Sequence, residues 1–307
     1  MSSFLLVRFI VIALFVGVLA GKWDIWWHVA VGRDTFFEPP HLFLYGGVVA
    51  AILLSWYGWW RSRERNWLLL ALVLLVIPFS APFDEWWHRI FGIEVLTSPF
   101  VIWSPPHLLL ILSIAAGCWF LLPLLRRDPD SDLRRLLLAL TLASTFSVLF
   151  VLTIPLDPLG AYNVLGFSGA GAAAALAVAL FFLAERVLGG TGSVFLVTML
   201  FLVFQSVGVR EKVAAGIVVN PHAYPPHWLY IFSLLLPAIF VDGTRKMSKL
   251  LRGAGAGFLY TAVYYGFANF FIDSAFIYTT ESLLQVVGSG TLGGLVVGVF
   301  LRKRWDH

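Results

Sequence analysis

The chain of 307 residues has one cysteine, Cys118. A single thiol excludes an intramolecular disulfide, and it excludes a zinc or iron–sulfur centre built on several thiolates of this chain. Lying inside an apolar run, Cys118 reads as a small buried apolar residue. Charge is nearly as scarce. Asp, Glu, Lys and Arg make up 12% of the residues, against roughly 25% in soluble domains. No soluble domain or long linker is visible. What fills the chain instead is apolar: 60% of residues, with a mean hydropathy of +0.87. This is the composition of an integral membrane protein. The formal charge of +4 is spread over short loops, so it does not form the basic patch of a nucleic-acid binder.

Apolar runs long enough to cross the hydrocarbon as helices recur along the chain. They predict an all-α, polytopic transmembrane bundle of ten spans, at about 4–30, 40–61, 66–91, 105–126, 132–155, 165–187, 193–215, 226–246, 254–273 and 279–302. Chemistry marks the breaks: Arg61-Ser62-Arg63-Glu64-Arg65, Arg126-Arg127-Asp128-Pro129-Asp130, Pro155 with Pro158 and Gly160, and Gly189-Gly190-Thr191-Gly192. Residues 1–307 read as one membrane domain, with a first repeat over 1–61, a second over 66–126 and further spans over 132–302. Arg8 and Val18-x-Ala20 resemble a signal peptide. An uncleaved first helix is expected, because the polar residues that follow need its support.

Lys and Arg gather after spans two, four and eight and at the C-terminus. The rule that cytoplasmic loops hold the excess puts both termini inside. The expected location is a bacterial or archaeal cytoplasmic membrane. Six of the seven histidines then fall on the outward face, as His28/His41, His88/His107 and His222/His227; His307 ends the chain. Thirteen tryptophans cluster near span ends, among them Trp26, Trp27, Trp86 and Trp87 on one side and Trp56, Trp59, Trp60 and Trp67 on the other. An interfacial aromatic belt accounts for such clusters; shielding of a metal pocket or electron transfer is the alternative.

The most specific signal occurs twice. Residues 24–34 read D-I-W-W-H-V-A-V-G-R-D and residues 84–94 read D-E-W-W-H-R-I-F-G-I-E. Both fit D-x-W-W-H-x3-G-x-[D/E], and both precede a Pro-Pro-His element, Pro39-Pro40-His41 and Pro105-Pro106-His107. An Asp and a His four residues apart share a helix face. Proline suits the first turn of the next helix, where its missing N–H is not needed. Each repeat therefore offers two ligands from the end of one helix and one from the start of the next. The predicted metal ligands are Asp24, His28 and His41, then Asp84, His88 and His107. Capping or ion pairing would explain one such set; the repetition favours metal. Imidazole with carboxylate suits several transition metals. The second set has the longer connection, 19 residues from His88 to His107 against 13 from His28 to His41.

A third element, Asn220-Pro221-His222-Ala223-Tyr224-Pro225-Pro226-His227, lacks the upstream Asp-x3-His. His222 and His227 are additional candidates, as ligands, outer-shell donors or members of a proton path. Asp34 and Glu94 end the repeated motif. They are candidates to orient a ligand imidazole, although pairing with Arg33 or helix capping explains Asp34 as well. Asp242 reads as an inward-end charge and Asp273 as a weak outward candidate. Glu281 lies near an apolar run.

Residues 24–41 carry more than a ligand pattern. Asp24 followed by Trp27-His28-x4-Arg33-Asp34-Thr35-x-Phe37-x-Pro39-x-His41 resembles the signature of the C subunit of particulate methane and ammonia monooxygenases. The resemblance implies that Asp24, His28 and His41 hold copper. It further implies that Asp84, His88 and His107 take the family's second metal position, with Asp84 where the family has Asn. One or two copper ions are expected, with zinc as the alternative. The family subunit is shorter, and its motif sits deeper in the chain. The implied activity is O2-dependent hydroxylation of a small apolar substrate, with a quinol as reductant, partner subunits, and a homo- or hetero-oligomer in the lipid bilayer. A non-catalytic copper or zinc carrier, sensor or assembly factor is the second reading. A proton-coupled transporter is the third.

Overall fold

A computed structural model describes residues 3–31, 37–92, 100–157, 164–214, 227–267 and 279–305; within these, the side chains of 25–26, 28–30, 100–101, 206–214, 227–230 and 302–305 are not described. Every regular element among the described residues is helical. In order they are α1 (Ser3–Ala30), α2 (Pro39–Ser62), α3 (Arg65–Phe91), the short α4 (Phe100–Trp103), α5 (Pro105–Leu125) and α6 (Ser131–Phe150), which runs on as a 3-10 turn, Val151–Leu156. Then come α7 (Ser168–Leu188), α8 (Ser193–Ala214), α9 (His227–Gly243), α10 (Lys249–Thr261) with a π turn over Ala262–Gly266, and α11 (Thr280–Trp305).

Among the described residues, seven helical stretches are long and apolar enough to cross a membrane: Ser3–Asp24, Pro39–Ser62, Arg65–Phe91, Pro105–Leu125, Ser131–Leu156, Ser168–Leu188 and Thr280–Leu301. They overlie seven of the ten expected spans. The other three correspond to α8, α9 and α10. The described apolar stretches of α8 and α9 are shorter, Ser193–Gln205 and Ile231–Gly243. Helix α10 gives way to its π turn after thirteen residues. Among the described residues, seven of the ten expected spans are thus matched.

The helix ends follow from local chemistry. Prolines occupy the first turns of α2 and α5, where no N–H donor is required. Arg63 closes α2 in the left-handed region, φ 57°. Ser248 accepts from Leu251 N at the start of α10, and Asp130 accepts from Leu133 N at the start of α6, both ordinary N-terminal caps. Gly189, Gly190 and Gly192 all have positive φ, a backbone that side chains disfavour, and so make the α7–α8 turn.

The chain forms two compact units, Met1–Leu149 with Val203–Ile217, and Phe150–Leu202 with Val218–His307. In the first unit, α1 packs on α2, α2 on α3, α3 on α5, and α5 on α1. Small residues set the approach. A Cβ on Gly47 of α2 would stand 2.5 Å from the carbonyl oxygen of Ala13 on α1, and one on Gly117 of α5 would stand 2.7 Å from Leu74 Cδ2 on α3. Trp67 lies beneath Gly58, where a Cβ would fall on its indole, and is 2% exposed. It is a core residue, whereas Trp60 and Trp86 are exposed as a belt requires.

Charges brace one end of this unit. The Arg8 guanidinium donates twice to Asp128, at 2.8 Å each, and Arg134 donates to the Asp128 carbonyl at 2.7 Å. Arg127 pairs with Glu64 in the α2–α3 turn. Hydrogen bonding from Arg8 holds the Asp128 carboxyl below the ordinary carboxylate range.

In the second unit α11 lies against α7 and α10, and α10 against α9. Glycines do the work of contact. A Cβ on Gly294 of α11 would collide with the carbonyl oxygen of Gly253 on α10, one on Gly257 with that of Gly290, and one on Gly293 with that of Gly171 on α7. Close glycine-mediated crossing lets apolar helices associate by backbone contact. Arg252, buried, donates to Glu185 at 2.9 Å and to the Val241 carbonyl at 2.7 Å. Asp242 accepts from Phe195 N and pairs with Arg245. Tyr264 and Tyr265, on the π turn, donate to Asp157.

Candidate metal centres

The two repeats fold as antiparallel hairpins, α1–α2 and α3–α5. In the first, the contacts descend in order: Gly47 meets Ala13, Leu44 meets Gly17 and Gly21, and His41 meets Asp24. In the second, Gly117 meets Leu74 and Leu70, and His107 meets Asp84. The α2–α3 turn is two residues long, Arg63 and Glu64, so α3 runs parallel to α1. Both ligand sets therefore lie at the same end of the four helices, away from the Arg8–Asp128 brace.

In the first hairpin, Asp24 Oδ1 is 2.9 Å from His41 Nε2. Glu38, the residue before Pro39, joins them. One ligand atom from each of Asp24, Glu38 and His41 lies within 4.8 Å of the other two. His28 sits on α1 one turn beyond Asp24, but its side chain lies outside the described residues, as does Asp34 entirely. His41 also packs edge-on against Tyr45. Nearby on α1, Lys22 Nζ donates to Gln205 Oε1 at 2.8 Å.

In the second hairpin, one carboxylate stands between two imidazoles. Asp84 Oδ2 is 3.3 Å from His88 Nε2, and Asp84 Oδ1 is 3.4 Å from His107 Nε2. His88 Nδ1 lies 3.3 Å from the carbonyl of Gly92. A carbonyl only accepts, so the Nδ1 atom carries the proton, and in the neutral ring Nε2 presents a lone pair to Asp84. Two acceptors this close need a proton or a cation between them. A carbonyl fixing the tautomer behind a ligand imidazole is the usual support of a metal-binding histidine. Glu94 lies outside the described residues.

The donors suit a transition ion. With bonds of about 2.0–2.2 Å, tetrahedral donors stand roughly 3.3–3.5 Å apart. Asp24, Glu38 and His41 need only a modest closure from their 4.8 Å limit; about Asp84 each single carboxylate–imidazole spacing falls in this range, but the three donors of the second set do not converge within 4.8 Å.

Alignment of the two Pro-Pro-His elements exposes a residue that motif reading passed over. Glu38 and Ser104 hold the same place, with φ −63°, ψ 148° and φ −60°, ψ 147°. Each gives its carbonyl to the first helical N–H, from Leu42 and Leu108 respectively. Each is buried, at 4% and 0% exposure, and neither side chain caps its helix. The signal in sequence was a lone acid beside two prolines in an apolar chain.

His222 lies outside the described residues, and His227 begins α9 with its side chain outside them. Asp273 is likewise outside. No family model, curated protein or solved structure matches the chain.

Proposed function

We propose that this chain is an integral membrane protein that binds copper at two sites, one per hairpin, and that it works as a distant counterpart of the C subunit of particulate methane and ammonia monooxygenases. Asp24, His28 and His41 hold one ion; Asp84, His88 and His107 hold the other. The observation that carries this reading is repetition: carboxylate and imidazole meet at the same end of both hairpins, at 2.9 Å in one and at 3.3 and 3.4 Å in the other. Buried acids and histidines in apolar helices are costly unless paired or bound to an ion.

The chain's own residues supply position and protonation state. The prolines fix where His41 and His107 project, and Gly92 sets the tautomer of His88. Bound copper would supply O2 activation. In the implied reaction one oxygen atom enters a C–H bond of a small apolar substrate and the other leaves as water, with two electrons and two protons from a quinol. The test is O2 consumption by copper-loaded protein in nanodiscs with a quinol and short alkanes. Quinol- and substrate-dependent uptake that disappears in Asp24→Ala supports the reading.

The second reading, a copper or zinc carrier, is favoured by the one-third exposure of the His107 side chain, which leaves the second site open to exchange. Metal that exchanges with chelators while no O2 is consumed would select it.

A further inference from the structure

We propose that the arginine-rich end of the first unit binds the phosphate groups of anionic phospholipids. The proposal goes beyond the metal reading and does not depend on it. Four helical stretches long and apolar enough to cross a membrane begin or end here: α2 passes to α3 through residues 63–64, and α5 to α6 through 126–130. The salt bridge from Arg127 to Glu64 joins the two turns into one patch. Residues 61–65 and 126–135, with Arg8, hold eight arginines against four acids, Glu64, Asp128, Asp130 and Asp132. That excess equals the formal charge of the whole chain, +4.

The protein's own acids do not absorb this charge. Arg8 holds Asp128, Arg127 pairs with Glu64, and Asp130 caps α6. Among the described residues no ion pair reaches Arg63, Arg65, Arg126 or Arg135, and all four are exposed. The end of α2 sets the depth of the patch. Trp56 and Trp59 pack edge to face with centroids 5.3 Å apart, and Trp60 is exposed, as suits the head-group level of a bilayer. The Arg63 Cζ lies 5.0 Å from the centroid of the Trp59 ring. Arg63 does this from the left-handed region, φ 57°, where a glycine would end the helix with less strain. Stacking on the indole holds its guanidinium at the level of the belt, and a guanidinium fork matches phosphate oxygens. Basic residues beside the ends of spans attract anionic lipid. Zwitterionic lipid carries its own cation and has no net charge to answer the patch.

The experiment reconstitutes the full chain in phosphatidylcholine vesicles. Electron spin resonance then measures the motionally restricted fraction of spin-labelled phosphatidylglycerol and of spin-labelled phosphatidylcholine. Wild type is compared with Arg63→Gly and with the quadruple variant Arg63→Gly, Arg65→Gln, Arg126→Gln, Arg135→Gln, with thermal unfolding as the check on folding. Wild type is expected to restrict phosphatidylglycerol preferentially, and the preference to shrink as salt screens the patch. In the quadruple variant the preference is expected to fall about threefold or more, while phosphatidylcholine associates as with wild type. Arg63→Gly alone is expected to lose part of the preference while still closing α2, and it decides the matter if the quadruple variant does not fold. No preference in folded wild type, or an undiminished one in the folded variants, would overturn the proposal. A preference abolished by inorganic phosphate at constant ionic strength would assign the patch to free phosphate and overturn the lipid assignment.

Discussion

Gly47→Ala adds one methyl group to α2 and should disturb a site two helical turns away. The added Cβ would stand 2.5 Å from the Ala13 carbonyl oxygen, and ordinary contact begins at 3.4 Å. Neither helix backbone can fold out of the way, so α1 and α2 must part by about 0.9 Å in an interior that does not compress. Carried along the hairpin, that shift stretches the 2.9 Å Asp24–His41 contact to about 3.8 Å, outside hydrogen-bonding range. Metal sites tolerate errors near 0.2 Å in ligand distance. Metal affinity at the first site should therefore fall about 10- to 100-fold, as it does when the supports of a ligand are disturbed. Overpacking should cost about 1–3 kcal/mol of stability. Gly46 supplies the control, since a Cβ there meets nothing within 4 Å. Gly46→Ala should bind metal as wild type does and melt no lower. Titration and thermal unfolding of both variants in nanodiscs decide the matter. Wild-type affinity and melting in Gly47→Ala would refute the coupling of helix spacing to site geometry.

Other outcomes follow from the same structure. Asp84→Asn should weaken the second site at least tenfold in competition titrations and leave the first unchanged, because one carboxylate serves both His88 and His107. Gly294→Ala should lower the melting temperature through its collision with Gly253, whereas Gly288→Ala, in open space, should not; equal melting would exclude the close α10–α11 approach. The lowered carboxyl of Asp128, due first to Arg8, means that the unfolded chain binds this proton at a higher pH than the folded one. Its contribution is complete above the ordinary carboxylate value, about 3.9, and is lost as pH falls through the lowered folded value. Asp128→Asn should lower the melting temperature at pH 7 and flatten its fall on acidification.

Much of the helical layout was legible in the sequence because it rests on local chemistry. The breaks at Arg63-Glu64, at Arg126–Asp130 and at Gly189–Gly192 lie where charge, proline or positive φ ends a helix. The pairing of Asp24 with His41 and of Asp84 with His107 was legible for a related reason: a helix end, a connection and a proline-started helix leave few ways to fold back. Packing was not legible. Nothing in Trp67 distinguishes it from its neighbours until Gly58 is seen lying on it. The contacts of Gly253, Gly257, Gly290 and Gly294 depend on the register of two helices, which composition does not set. Glu38 belongs to no motif, and nothing in the sequence marks it as buried. Its burial depends on how α1 and α2 cross, and only the comparison with Ser104 shows that the position is special. The π turn at Ala262–Gly266 was not legible either, because apolar composition alone does not distinguish it from an α-helix.

The central claim is that each hairpin binds a metal ion, and metal content tests it most directly. Wild type, His28→Ala, His88→Ala and the double variant, purified in nanodiscs after growth with copper, would be assayed by elemental analysis alongside a folding check. The account predicts two ions per wild-type chain including copper, one in each single variant, and none in the double variant. Folded wild type without metal, or metal retained in full by the double variant, would contradict it.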